Sequence, residues 1–481
     1  MNLRMIGYII GKMLGVEALV LLIPAFVSLL YREDEYIYFI LTSIVLGIIY
    51  LLTARKKPEN SMIYGKEGLF IVAFAWVLWS LFGAIPFCLS GSIPHYLDAF
   101  FETVSGFTTT GSTILREIET LPKGILFWRS LTHWIGGMGV LVFVMMLTSL
   151  DDKNAMHLMR AEVPGPEVDK LVPKTRSTAK ILYAMYFALT ALEVVLLLFG
   201  GMDLFDSITH AFSTAGTGGF STRNASVGFY NSAYIDMVIS VFMILFGINF
   251  NLYYLLLLKQ VRAIFCDEEL RVYLGIIAGA VAVITVNILN MYGNLFQAFR
   301  YALFQVAAVI TTTGFCTANF DLWPELSKSI LLTVMIIGAS AGSTGGGIKV
   351  SRLLILLKSI LQEIKQMIHP KAVTIVRVNG RKVREETMHG VYIYFICYIL
   401  IIISSVLIVS IDNFDFTSTF TAVLTTVNNV GPGLGSVGPV ENFADFSYLS
   451  KIVFCLDMLV GRLEIFPYLL LFSTGFWRRR F

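Results

Sequence analysis

Long apolar runs alternate with short polar connections along the whole chain, and a bilayer-crossing helix takes about 20 mostly apolar residues. Runs that meet this length lie at roughly 6–30, 36–53, 69–89, 124–149, 178–200, 234–258, 272–291, 329–358, 391–411 and 449–475, which predicts ten spans. A second kind of apolar segment recurs between them. It is shorter, opens on Asp or Asn, and closes on a polar turn rich in glycine. The four copies read LDAFFETVSGFTTTGST (97–113), LFDSITHAFSTAGTGGF (204–220), NLFQAFRYALFQVAAVITTTGF (294–315) and DFTSTFTAVLTTVNNVGPG (415–433).

Aligning the four turns puts Gly111, Gly218, Gly314 and Gly431 in register, 107, 96 and 117 residues apart (111 to 218, 218 to 314, 314 to 431). Self-similarity at such a period sets the architecture. Each unit reads as helix, re-entrant half-helix, turn, helix, because segments of about 12–17 residues are too short to cross. The expected fold is an all-α polytopic membrane protein. It has an extra N-terminal helix pair at 1–54 and four pore repeats at 66–150, 178–266, 270–368 and 385–478.

Composition agrees with a membrane chain: 56% of the 481 residues are hydrophobic and 14% charged, against about a quarter charged in soluble domains. The net charge of +3 gives no argument for nucleic acid as a partner. The five cysteines are scattered singly, without metal or disulfide spacing. Arg4 and Lys12 accompany an apolar run that holds Pro24 but no small-residue cleavage site, which predicts a retained helix. Basic residues mark one face: Arg55, Lys56, Lys57 and Lys66; Lys153, Arg160, Lys170, Lys174, Arg176 and Lys180; Lys259, Arg262 and Arg271; nine Lys or Arg in 349–384; and Arg478, Arg479 and Arg480. The positive-inside rule makes that face, and both termini, cytoplasmic.

A turn after a half-helix leaves carbonyls without helical partners, and such backbone persists at membrane depth only inside protein or along a water-filled path. Four turns around an axis would supply rings of carbonyls able to replace the water shell of a cation. Glycine admits the backbone angles that aim carbonyls inward, and threonine hydroxyls could add further oxygens. Potassium suits a ring of neutral oxygens, whereas harder divalent ions favour carboxylates, which the turns lack. Ordinary helix-capping turns are the alternative for any single copy.

Two further features fall in the apolar runs. GASAGSTGGGIKV (338–350) interrupts a span with six small residues, Gly342, Ser343, Thr344, Gly345, Gly346 and Gly347. Glycine costs about 1 kcal/mol relative to alanine in a helix. A phosphate-binding loop is excluded, because Ile348 separates the last glycine from Lys349. A flexible gate beneath the turns is the reading taken; a small-residue packing face is the alternative. Arg462 sits mid-run, where it costs about 2.5–3.5 kcal/mol unless it faces a pore or partner. Asp457 and Glu464 are not at helical spacing from it, and snorkelling to the interface is the alternative. His133 and His210 read as packed or hydrogen-bonded, Glu193 and Asp236 as structural polar contacts. No HExxH motif or phosphate loop points to an enzyme.

SGFTTTGST (105–113), LTHWIGGMGV (131–140), AFSTAGTGGFST (211–222), AGSTGGGIKV (341–350) and GRLEIFP (461–467) together resemble the Trk/Ktr/HKT superfamily of potassium transporters. The likeness is greatest to bacterial Trk-type membrane subunits, which share the extra helix pair. The resemblance implies four filters meeting on a pseudo-fourfold axis. By motif match these are Thr109, Thr110 and Gly111; Gly216, Thr217 and Gly218; Thr312, Thr313 and Gly314; and Asn429, Val430 and Gly431. Asn429 and Val430 depart from the threonines of the other copies. It further implies potassium as the transported ion with no cofactor in this chain, an intramembrane gate at 342–347, and a pore-lining Arg462 that competes with the gate for position. A bacterial inner membrane surrounded by lipid, a homodimer and a cytosolic nucleotide-binding ring subunit (TrkA-like) are implied as well. Four re-entrant filters favour passive, potential-driven permeation. A symporter coupling potassium to protons or sodium is the alternative, although coupled carriers usually show paired inverted repeats.

Overall fold

In the computed structural model, residues 2–60, 62–140, 175–371 and 374–472 are described. Part of the span expected at 124–149, the basic residues Lys153, Arg160, Lys170 and Lys174, and the arginines at 478–480 lie outside the described residues. Among the described residues, the only strands form a two-residue-by-two-residue hairpin, Arg377–Val378 against Arg381–Lys382. Asn379 and Gly380 make its turn at φ 50° and 74°, the left-handed pair that an Asn-Gly hairpin requires.

Among the described residues, six helices are long and apolar enough to cross a membrane: Leu3–Tyr31, Tyr36–Thr53, Gly65–Leu89, Ser177–Phe199, Glu268–Tyr292 and Glu385–Asp412. Glycine lets the first two meet closely, since a Cβ on Gly15 would lie 2.7 Å from the Tyr50 ring. The last four each open an identical order of elements: a long helix, a short helix, a turn and a further helix. The short helices are Tyr96–Phe107, Leu204–Gly216, Leu295–Ile310 and Phe416–Asn428. At about 1.5 Å per residue they fall short of the roughly 30 Å hydrocarbon core. Asp203, Asn294 and Asp415 cap three of them with side-chain oxygens. The first begins after His95 without such a cap, and its Asp98 instead pairs with Lys451 at 2.7 Å.

The other four expected spans, 124–149, 234–258, 329–358 and 449–475, are not continuous helices. Lys123–Met138 stops at Gly139, whose φ is 91°. Ala233–Phe246 and Phe250–Leu257 meet at 90°, and the Asn249 side chain caps the new helix. Glu325–Ile337 and Val350–Ile368 are separated by residues 338–349. Tyr448–Arg462 gives way to Phe466–Phe472 through Glu464 and Ile465, both at positive φ. The break foreseen in one inner helix is thus present in three, and in the first unit the described helix ends at Gly139.

Polar links join successive units, two of them buried and two part-buried. Arg129 binds Glu102 at 2.6 Å and donates to Ser221 O at 3.0 Å, linking the first unit to the second. Asp236 binds Arg300 at 2.6 Å between second and third. Gly435 N–H donates to Asp321 Oδ1 at 3.3 Å between fourth and third, and Lys451 to Asp98 closes the circuit. His210 bonds Asp206 O and Ser221 Oγ, and His133 bonds Gly106 O, so both histidines hold structure.

Candidate functional site: a ring of turns above a broken-helix floor

All four short helices end in the same way. Thr109, Thr217, Thr312 and Asn429 follow them in the left-handed conformation, at φ 56°, 56°, 57° and 55°. The next residue's N–H reaches back to the helix: Thr110 to Ser105 O, Gly218 to Ser213 O, Thr313 to Ala308 O and Val430 to Thr425 O, at 2.8–3.0 Å. This six-to-one bond closes a helix that ends left-handed, a place normally given to glycine. A β-branched residue there is strained, and such strain persists where the surroundings over-determine it. One residue on, Gly111, Gly219, Gly314 and Gly431 return to positive φ, at 81°, 79°, 75° and 95°. Alternating the sign of φ turns successive carbonyls toward one side.

Those dihedrals correct the register of the second turn. The glycine equivalent to Gly111, Gly314 and Gly431 is Gly219, not Gly218. Gly216, expected within the turn, is the last residue of the short helix. AGTGG (215–219) contains three glycines, and alignment by letter alone slips by one. The four turns close a ring in chain order. A Cβ on Gly111 would stand 1.9 Å from Gly218 O, on Gly219 2.0 Å from Thr313 O, on Gly314 2.0 Å from Val430 O, and on Gly431 2.8 Å from Thr110 O. Each equivalent carbonyl therefore lies against the glycine of the neighbouring turn, and no side chain fits between them.

Three of the turn hydroxyls are engaged elsewhere. Thr110 Oγ1 bonds Thr108 Oγ1 at 2.8 Å, Thr313 Oγ1 bonds Thr311 Oγ1 at 2.8 Å, and Thr217 donates to Gly216 O at 2.6 Å. The oxygens common to all four turns are backbone carbonyls. This explains how the fourth turn dispenses with threonine. Asn429 adopts the left-handed conformation readily, and its Nδ2 donates to Thr110 Oγ1 and to Met458 O, both at 2.9 Å. Val430 contributes its carbonyl while its side chain is buried. On the glycine side, a cavity of about 130 Å³ is lined by Gly111, Gly219, Gly314 and Gly431.

On the other side lies the segment 338–349. Gly346 N–H donates to Thr312 Oγ1 at 2.6 Å, and a Cβ on Gly346 would meet Asn428 O at 2.3 Å. Phe250 N–H donates to Gly342 O at 3.0 Å and Ser340 N–H to Gly247 O at 3.1 Å, fastening the segment to the break in the second inner helix. Arg462 reaches it from the fourth unit. Its guanidinium donates to Thr344 O at 2.7 Å, Gly136 O at 2.5 Å and Gly137 O at 2.6 Å. In this structure Arg462 binds the loop to the end of the first inner helix. Glu464, two residues on from Arg462, pairs with Arg352, and Asp457 accepts from Ser405 at 2.8 Å.

Sequence reasoning missed two residues here. Lys349, counted among the basic residues of a cytoplasmic connection, is buried with its ammonium on Gly345 O. Glu269 accepts from Ala341 N–H at 2.7 Å and Ser351 N–H at 3.1 Å. It stands in DEEL (267–270), which reads as the ordinary acidic first turn of a helix; a partner 72 residues away leaves no local signal. Among the described residues, no group of three or more His, Cys, Asp or Glu is placed to hold a metal ion.

Comparison with known proteins bears on this arrangement. Residues 35–478 match the TrkH family, described as a cation transport protein. The chain is 37% identical over 485 residues to the Trk system potassium uptake protein TrkH of Escherichia coli strain K12, covering 99% of this chain and 100% of that protein. It is 32% identical to TrkG of the same strain over 487 residues, covering 99% of each. The crystal structure of the potassium transporter TrkH from Vibrio parahaemolyticus superposes with a TM-score of 0.90 at 34% identity, covering 99% of this chain and 100% of that one. The multi-pass helical fold, the ring of turns and the whole-length match agree: the chain belongs to the TrkH family of cation transport proteins, which are transporters and not enzymes.

Proposed function

We propose that this chain takes up potassium across a bacterial plasma membrane, through the ring formed by the four turns. One observation carries the reading: four glycines, each at positive φ, set against the equivalent carbonyl of the next turn. Rings of carbonyls replace the hydration shell of a weakly hydrated cation. The names of the relatives, potassium uptake protein and potassium transporter, support the same ion. Uptake is passive, because the negative-inside potential supplies about 2.3 kcal/mol per charge per 100 mV.

The loop at 342–347 is the gate, with Arg462 as its partner. It blocks the path directly beneath the ring and must shift for ions to pass. The basic connections put both termini on the cytoplasmic side. On that face a nucleotide-binding ring subunit docks, and two copies of this chain make the functional unit. The four pore repeats are the units of that pore, with the pair at 1–54 outside it.

Flux of potassium against sodium into liposomes of purified protein tests the reading. Potential-driven potassium flux without a proton or sodium gradient is expected. Flux that requires either gradient would establish the coupled symporter instead.

A further inference from the structure

Three consecutive residues at the start of the helix Glu268–Tyr292 bind two different parts of the chain. Asp267 accepts from Asn379 Nδ2 at 2.7 Å, and Glu268 N–H donates to Asn379 Oδ1 at 2.8 Å. The Glu268 carboxylate also pairs with Lys358, which donates to Arg377 O at 2.7 Å. Asn379 is the exposed turn residue of the hairpin. The next residue, Glu269, points the other way and is buried. Its Oε1 alone receives the N–H groups of Ala341 and Ser351, which flank the glycine-rich loop on both sides. One oxygen thus ties together the two ends of the segment beneath the ring, and the turn that carries it is tied to the hairpin.

We propose that Glu269 is the clasp of the gate loop and that Asn379 positions the clasp, so the hairpin at 377–382 transmits movement on its own face to the gate. This rests on the reading of 342–347 as a gate. The physical case is one of leverage over a short distance. Residues 267–269 belong to a single helical turn, whose geometry is stiff. Asn379 satisfies one of the helix's first N–H groups, which have no partner within the helix. If the hairpin is displaced, that turn loses its outer anchor and Glu269 loses its fixed position relative to Ala341 and Ser351. The N–H groups of Ala341 and Ser351 then lack an acceptor, and the loop's flanks are free to separate. Glu269 acts through the loop and contacts no permeating ion, so it is a positioning residue.

Because both bonds go to one oxygen that only accepts, glutamine can replace the carboxylate and alanine cannot. In liposomes holding the full-length protein, potassium flux at fixed potential is compared for the parent, Glu269→Gln, Glu269→Ala, Asn379→Ala, the double variant Glu269→Ala with Asn379→Ala, and a chain lacking Gly345 and Gly346. Glu269→Ala and Asn379→Ala are each expected to raise flux, by roughly tenfold or more for the former, as two hydrogen bonds to a buried side chain are lost. Glu269→Gln should stay near the parent, and the double variant should equal Glu269→Ala, since both changes act along one path. If Glu269→Ala does not fold, Asn379→Ala on the exposed turn and the glutamine variant still decide. Parent-like flux in Asn379→Ala, equal flux in the Gln and Ala variants, or additive effects in the double variant would overturn the inference. If those variants stay parent-like while the shortened loop conducts faster, the clasp alone is wrong. If the shortened loop stays parent-like too, the gate reading fails and the clasp with it.

Discussion

The side-chain oxygen of Thr312 accepts the backbone N–H of Gly346 at 2.6 Å, so a residue of the ring holds the loop beneath it. Threonine at a left-handed position is strained, and this bond is one reason to keep it there. Thr312→Val preserves shape and β-branching but leaves the Gly346 N–H without an acceptor. An unsatisfied buried N–H costs about 1–3 kcal/mol, and that cost falls on the loop's resting position. Potassium flux should rise by roughly tenfold, with the reversal potential unchanged. A shifted reversal potential would mean that the hydroxyl serves the ion directly.

Substituting the ring glycines should act on selectivity instead. In Gly314→Ser the new Cβ would stand 2.0 Å from Val430 O at a φ of 75°, so the third and fourth turns must separate. Gly219→Ser imposes the same conflict on Thr313 O. Both variants should lose preference for potassium over sodium in reversal-potential measurements. Parity of Gly219→Ser with the parent would return the second turn to the register read from sequence.

How much of this was legible beforehand follows from the range of the interactions. The short helices, their polar turns and the glycine-rich loop are local features, and composition marks each one. Register in the second turn was not legible, because choosing between Gly218 and Gly219 needs backbone dihedrals. Two inner-helix breaks, and the end of the described helix in the first unit, were missed for a similar reason. Gly139, Gly247 and Glu464 stand in runs that remain apolar on both sides, so hydropathy reads through them. Arg462 was conspicuous as a buried charge. Its acceptors are carbonyls of Thr344, Gly136 and Gly137, which carry no side-chain signature.

The ion pair between Asp236 and Arg300 joins an inner helix of one unit to the short helix of the next. Removing one partner of a buried pair leaves the other charge uncompensated, at about 3–5 kcal/mol. Asp236→Ala should therefore lower the thermal unfolding midpoint of the purified protein. Asp236→Leu combined with Arg300→Met should recover much of that loss, because apolar replacement of both partners is often tolerated. A double variant as unstable as the single one would show that the pair carries more than charge balance.

Arg462 offers the sharpest contrast between charge and geometry. Its guanidinium spreads donors over three carbonyls contributed by two other units. Lysine keeps the charge but has a compact ammonium on a flexible stem, without the planar fork. If Arg462 held ions back by charge alone, Arg462→Lys would conduct like the parent. The observed bonds predict otherwise. Arg462→Lys and Arg462→Gln should both release Thr344 O and raise potassium flux, with the glutamine variant higher because the positive charge in the path is also gone. The ordering parent, Lys, Gln in liposome flux is the expected result. Parent-like flux in Arg462→Lys would make the charge, and not the cross-link, the working element.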